Sequence, residues 1–279
     1  MPELAEVELA RRQWAVCHGE QILEVACHRD TRIYRETPAS QLKVLKGQTL
    51  QSSRCHGKRL LFTFKPDLHL EIHLGMTGKL YRVGRPHEPH KHDHFLMSSH
   101  RSTLAFSDYR QFGKVTLHQV HQPWDDLPIE ILAPAFTTAY LREKVTRHGR
   151  KPLKAFLLDQ GICPGVGNWM ADEICWKLKH HPATPTSSIP VSPLRKALLA
   201  VCRGAIRHVA DKNAEPLIQG FTPGTYVKQV PPRSWLFQHR WKAGGFCPRC
   251  QTELSRDTIA SRTTAWCPVC QEPSSSSLE

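Results

Sequence analysis

The chain has 279 residues, 40% of them hydrophobic, and its 38 Lys and Arg against 25 Asp and Glu give a net charge of +13 and a pI near 9.4. That length exceeds a single ordinary core and predicts two or three domains. No apolar run approaches the roughly 20 residues of a membrane span, no charged and apolar leader is present, so a cytosolic location is expected, and the basic excess points to a polyanion, above all nucleic acid.

Residues 1–8 read Met-Pro-Glu-Leu-Ala-Glu-Val-Glu. Loss of Met1 would leave Pro2 with a secondary amine beside the carboxylate of Glu3. A terminal amine has a pKa near 7.7–8.0, so a usable fraction is unprotonated at neutral pH. Such an amine can attack a carbon and form a Schiff base, and a neighbouring acid can donate the proton that opens the partner bond. The same start also reads as an ordinary capped helix. Leu4, Val7, Ala10 and Trp14 recur at helical spacing, which predicts a helix over 3–17 stopped by Gly19.

From Ile22 to about Leu117 the chain breaks into short β-like runs, ILEVA, RLLFTF, HLEIHL, HFLMSS, STLAFS and KVTLH, separated by turn residues. This predicts a small antiparallel sandwich or barrel. Within it, Gly57-Lys58-Arg59 and His73-Leu-Gly-Met76-Thr-Gly78 place Lys58 and His73 at strand edges beside glycines. In Asp108-Tyr-Arg110-Gln-Phe112-Gly113, Arg110 and Phe112 would project on one side if extended. The stretch His87–His92 is rich in Pro and His and reads as a loop.

Pro123, Pro128 and Pro134 mark a linker over 121–136. Helical patterns follow over Thr138–His148, Leu153–Gln160, Asn168–Lys179 and Ser192–Lys212. The loop between the second and third carries Gly161, Gly165 and Gly167, with Asn168 at an N-cap position, and a helix start offers amides to a phosphate. A Pro-rich stretch, Pro216 to Pro232, leads to Cys247-x2-Cys250, sixteen residues, then Cys267-x2-Cys270. Two such knuckles suit four thiolates around one structural zinc ion with a β-hairpin between them. That hairpin carries Arg256 and Arg262, and Arg262 near its return suits a phosphate. The other six cysteines, Cys17, Cys27, Cys55, Cys163, Cys175 and Cys202, are expected as buried free thiols. The polar tail, 272–279, is expected to be disordered.

Taken together these motifs resemble, over nearly the whole chain and in the same order, the Fpg/Nei (formamidopyrimidine-DNA glycosylase) family. The start is similar to that family's Pro-Glu-Leu-Pro-Glu-Val-Glu, with Ala5 in place of the second proline. The resemblance implies an α+β chain: an N-terminal helix and antiparallel β-sandwich over 1–120, a helix–two-turns–helix domain over 137–232, and a zinc finger over 233–271. It implies a bifunctional enzyme that excises oxidised or ring-opened bases and cleaves the abasic strand by β- and δ-elimination. Pro2 would be the nucleophile, Glu3 the acid at the sugar ring oxygen and Glu6 its support. Lys58, His73, Asn168 and Arg262 would hold phosphates, while Met76, Arg110 and Phe112 would fill the gap left by a flipped base. The implied partner is damaged double-stranded DNA, met by a monomer. The competing reading is a non-catalytic zinc-ribbon protein that binds damaged or structured nucleic acid. The stretch Lys212–Phe246 departs from the glycine-rich lid of the family's oxidised-purine enzymes by its prolines, Trp235 and Trp241. It predicts weak action on 8-oxoguanine opposite cytosine, although Pro-Glu-Leu looks more like the purine branch.

Overall fold

The computed structural model describes residues 2–28, 31–214 and 230–271. The tail 272–279 and most of the Pro-rich stretch, including Pro216 and Pro223, lie outside the described residues. The chain divides into two compact units, Met1–Asp126 with Val209–Lys228, and Leu127–His208 with Gln229–Glu279. Among the described residues, no helix is long and apolar enough to cross a membrane.

The first unit begins with helix α1, Leu4–Ala15. Leu4, Val7, Ala10 and Trp14 form its buried face, as their spacing predicts, and the chain turns at Gly19, whose φ is +86°. Eight strands follow: β1 Glu24–Cys27, β2 Ser52–His56, β3 Arg59–Lys65, β4 Leu68–His73, β5 Lys79–Gly84, β6 Asp93–Ser98, β7 Ser102–Ser107 and β8 Lys114–His118. They make two antiparallel four-stranded sheets, ordered β1-β6-β7-β5 and β2-β3-β4-β8. Phe62, Leu70 and Ile72 from one sheet share a buried core with Phe95, Met97 and Phe106 from the other. Trp14 closes it, with its ring 4.8 Å from that of Phe62 and its indole N–H on the Tyr81 carbonyl. Strands β2 and β5 are absent from the apolar runs. β2, Ser-Ser-Arg-Cys-His, has no buried residue of its own and owes its shape to pairing with β3.

The second unit is helical: α2 Thr138–His148, α3 Leu153–Leu158, α4 Asn168–Leu178 and α5 Val191–Ala205; the chain continues from α5 as a π-helical turn, Ile206–Asp211, that ends in the first unit. The loop between α3 and α4 closes on its own side chains. Asp159 accepts the Gly161 amide, while Gln160 accepts from Gly165 and donates to the Val166 carbonyl. A hairpin, β9 Ser255–Ile259 and β10 Arg262–Trp266, completes the unit. Of the six single cysteines, Cys17, Cys163, Cys175 and Cys202 are buried free thiols, but Cys27 and Cys55 are only partly covered.

Candidate functional site

Glu3 is the N-cap of α1 and its side chain accepts the backbone N–H of Glu6, while Glu6 returns the bond by accepting the N–H of Glu3 at 3.1 Å. This reciprocal box satisfies two orphan amides of the helix start, and it fixes Pro2 and a buried Glu3 carboxylate at the positive end of the helix dipole. The capped helix start expected from the sequence is present. Contacts along α1 run in register with β2: Arg11 reaches Ser53 and Val7 accepts from Cys55. Four helical residues rise about 6 Å, matching two strand residues at about 6.6 Å. If this register continues, one more step brings Glu3 level with the turn after His56.

That turn is Gly57-Lys58, a two-residue link between β2 and β3 with Gly57 at φ +57°. Lys58 therefore stands at a hairpin tip, beside Gly57 and directly ahead of the first residue of β3. Across the adjoining strands, Arg59 pairs with His73 and His73 pairs with Lys114, a row of basic residues on three neighbours. Arg59 is held by Glu71 at 3.2 Å and Lys114 by Glu36 at 2.7 Å. Burial first, then the charges of Lys114, Lys58 and Arg59, lower the His73 pKa to about 4. The Gly75 amide donates to His73 Nδ1 at 3.1 Å, so the neutral ring carries its proton on Nε2, a donor suited to an anion.

The His73 pKa has a measurable consequence. It is depressed below its unfolded value near 6.5, so its neutral form supports folding above pH 6.5, and that support is lost as pH falls from 6.5 toward 4. The loss should reach up to about 3 kcal/mol. Glu173 in α4, raised by burial to about 7, acts in the opposite sense between about 4.5 and 7. The difference in pH-dependent stability between the parent and His73→Gln isolates the histidine. Parallel curves across that window would refute the assignment.

Met76 and the Arg110–Phe112 loop meet through Gly75. At φ +62°, a Cβ there would lie 2.4 Å from the Phe112 carbonyl carbon, so only glycine lets the two loops touch. Arg110 and Phe112 do share a side, with the guanidinium 4.7 Å over the ring, but not by strand alternation. They lie in a loop that Gln111 turns at φ +55°. Asp108 anchors this loop by accepting the Gly113 amide and the Thr77 hydroxyl, and Arg35 donates to the Gly113 and Phe112 carbonyls. Met76 and Phe112 are 37% and 41% exposed, large apolar side chains presented outward from a braced loop pair.

In the second unit Asn168 is not the N-cap. Gly167 is, and Asn168 is the first helical residue of α4. Its amide donates to the Thr263 carbonyl at 2.9 Å, which ties the helix start to the strand residue beside Arg262. Arg262 is exposed just after the Ala260-Ser261 turn, where both residues have positive φ. Arg256, by contrast, is spent on the Arg240 carbonyl. A buried network seats the hairpin. Asp172 accepts from Lys154 at 2.6 Å, from Arg240 at 2.6 and 2.9 Å and from the Ala265 amide, while Lys154 also reaches Thr263 and Thr264. Sequence reading passed over Lys154 and Asp172. The signal was there: each is a charge inside an apolar helical run, which is costly unless paired.

Cys247, Cys250, Cys267 and Cys270 converge. Cys250 and Cys267 sulfurs lie 3.4 Å apart, Cys250 and Cys270 3.5 Å, and Cys247 and Cys270 3.9 Å. Ligands about 2.3 Å from a tetrahedral centre lie about 3.8 Å from each other, so the donor set fits a divalent metal with no position left open. The Trp176 indole N–H, 3.3 Å from Cys247 Sγ, and the Cys270 amide, 3.4 Å from Cys267 Sγ, suit thiolate charge.

Residues 1–115 match the formamidopyrimidine-DNA glycosylase N-terminal domain, and residues 127–212 match the H2TH domain of the same enzymes. The chain belongs to the formamidopyrimidine-DNA glycosylase family. It is 34% identical over 281 residues to the formamidopyrimidine-DNA glycosylase of Solibacter usitatus, covering 98% of this chain and all of the relative. Among solved structures of this glycosylase family, it is similar to the Lactococcus lactis enzyme in complex with abasic-site DNA, with a TM-score of 0.81, 29% identity and coverage of 97% and 99% of the two chains. It is equally similar to that enzyme bound to DNA containing an oxidised pyrimidine, with a TM-score of 0.81, 29% identity and coverage of 97% and 100%. The protein is thus a DNA glycosylase of base-excision repair.

Proposed function

We propose that this glycosylase is bifunctional, with Pro2 attacking the sugar carbon of the damaged nucleotide as the base leaves. Glu3 protonates the ring oxygen, and Glu6 holds Glu3 in place. The resulting imine acidifies the neighbouring sugar hydrogen, and the strand is cut by β- and then δ-elimination. The observation that supports this reading is the Glu3–Glu6 box, a buried acid at one helix start directly after Pro2, whose amine would become terminal on removal of Met1. Lys58, His73, Asn168 and Arg262 are assigned to phosphates, and Met76, Arg110 and Phe112 to the vacated stack. Damaged double-stranded DNA is the partner and the enzyme works as a monomer, in keeping with its basic charge and its relatives' complexes with damaged DNA.

The ion among the four cysteines is assigned as zinc with a structural role, seating Arg262 through β10. Zinc contributes about 10–16 kcal/mol to folding in isolated finger peptides, as much as the whole stability of a typical domain at about 5–15 kcal/mol. Cys250→Ser should therefore lose the metal, melt the hairpin and weaken DNA binding together. Metal analysis of fresh protein and a DNA titration check this, and metal-free parent protein with normal affinity would refute it.

Substrate choice is tested with a panel of duplexes that each hold one lesion, in single-turnover assays. Abasic-site cleavage and removal of oxidised pyrimidines or ring-opened bases should outpace excision of 8-oxoguanine opposite cytosine. Equal rates on all of them would remove the argument from the Pro-rich stretch between Lys212 and Phe246.

A further inference from the structure

The loop ahead of β6 and the first residue of that strand carry a cluster that the glycosylase chemistry does not use. His87, His90 and Asp93 each place a ligand atom within 4.8 Å of the others. Asp93 is 2% exposed. Its Oδ2 accepts the Tyr81 hydroxyl at 2.5 Å and the His90 backbone N–H at 2.8 Å, and lies 3.3 Å from His87 Nε2. Its Oδ1 is buried without a hydrogen-bond partner among the described residues.

A plain His87–Asp93 ion pair accounts poorly for this. A charge-assisted N–H···O bond shortens to about 2.7–2.9 Å, and 3.3 Å is long for one. Two donors about 2.1 Å from a tetrahedral ion, however, lie about 3.4 Å apart. An ion pair also gives no reason for His90 to converge, and an ion held by both carboxylate oxygens would in addition satisfy the buried Oδ1. Tyr81 and the His90 amide fix the carboxylate as outer-shell donors fix a metal ligand.

We propose that His87, His90 and Asp93 form a second metal site, separate from the four cysteines, which takes a divalent cation of borderline softness such as zinc. Two imidazoles and a carboxylate are that ion's ordinary partners and leave one position for water. His94 lies outside this converging group, and its Nε2 is engaged with the Asp108 carbonyl. The His92 carbonyl accepts the Asp108 amide at 3.0 Å, so an ion here clips the loop directly to the base of the segment that carries Arg110 and Phe112.

The test uses the full chain without a polyhistidine tag, titrated with zinc against a competing chromophoric chelator. The parent should bind two equivalents, and His87→Ala and His90→Ala should each bind one. Cobalt in the second site should give weak visible bands without the strong thiolate charge-transfer absorption of the cysteine site. In the unsubstituted protein zinc should also shift the ring signals of His87 and His90, a measurement that needs no variant to fold. One equivalent in the parent, a second equivalent that survives both substitutions, or unmoved His87 and His90 signals would each overturn the proposal.

Discussion

Retaining Met1, or placing any residue ahead of Pro2, should abolish covalent trapping of the protein on abasic DNA by borohydride. The trapped species is a reduced imine, and it forms only if an amine lone pair is free to attack. An acylated Pro2 nitrogen is an amide with no such lone pair. DNA affinity should stay within about 0.5 kcal/mol of the parent, the usual scale of a surface change, because the basic row of Arg59, His73 and Lys114 is untouched. Pro2→Gly is a poor substitute test, since it exchanges a secondary amine for a primary one and keeps the chemistry. Strand cleavage at the normal rate by protein with a verified blocked terminus would transfer the nucleophile to another residue, or turn the argument to the non-catalytic zinc-ribbon reading.

Glu3→Gln should lower base excision by about 10²–10⁴-fold, the range of a general acid, and affect cleavage of a ready-made abasic site far less. The acid's task is to open the sugar ring as the base departs, and an abasic sugar is already partly open. The geometry makes this substitution clean. Glutamine keeps an oxygen to accept the Glu6 amide, and the Glu3 N–H to Glu6 bond involves only the backbone of position 3. The capping box therefore survives, and the substitution removes the acid's proton and its charge. Parallel single-turnover assays on a lesion duplex and an abasic duplex decide the point. An equal loss on both would make Glu3 a positioning residue for the terminus.

Local physics was legible in the sequence. Apolar spacing located α1 and α2, and the α2 bounds Thr138–His148 agree to the residue because Thr137 caps one end and Gly149 ends the other. The β-runs with buried apolar residues were visible for the same reason, and the cysteine spacing announced its own cluster. The motifs also carried the family, which the matched domains and relatives establish.

What the sequence alone did not determine depends on contacts distant along the chain. β2 has no apolar signature and exists because β3 offers it a hydrogen-bonding edge. Asn168 looked like a cap, but the glycine before it takes that place and frees the amide to bind Thr263, ninety-five residues away. Lys154, Asp172 and Arg240 lie far apart in the chain, and only packing turns them into one buried network. The basic row of Arg59, His73 and Lys114 draws on three strands, so its low His73 pKa follows from strand register and not from any neighbour in sequence. Short-range periodicity and capping are properties of a chain segment. Burial, desolvation and charge coupling arise only where the tertiary structure brings segments together.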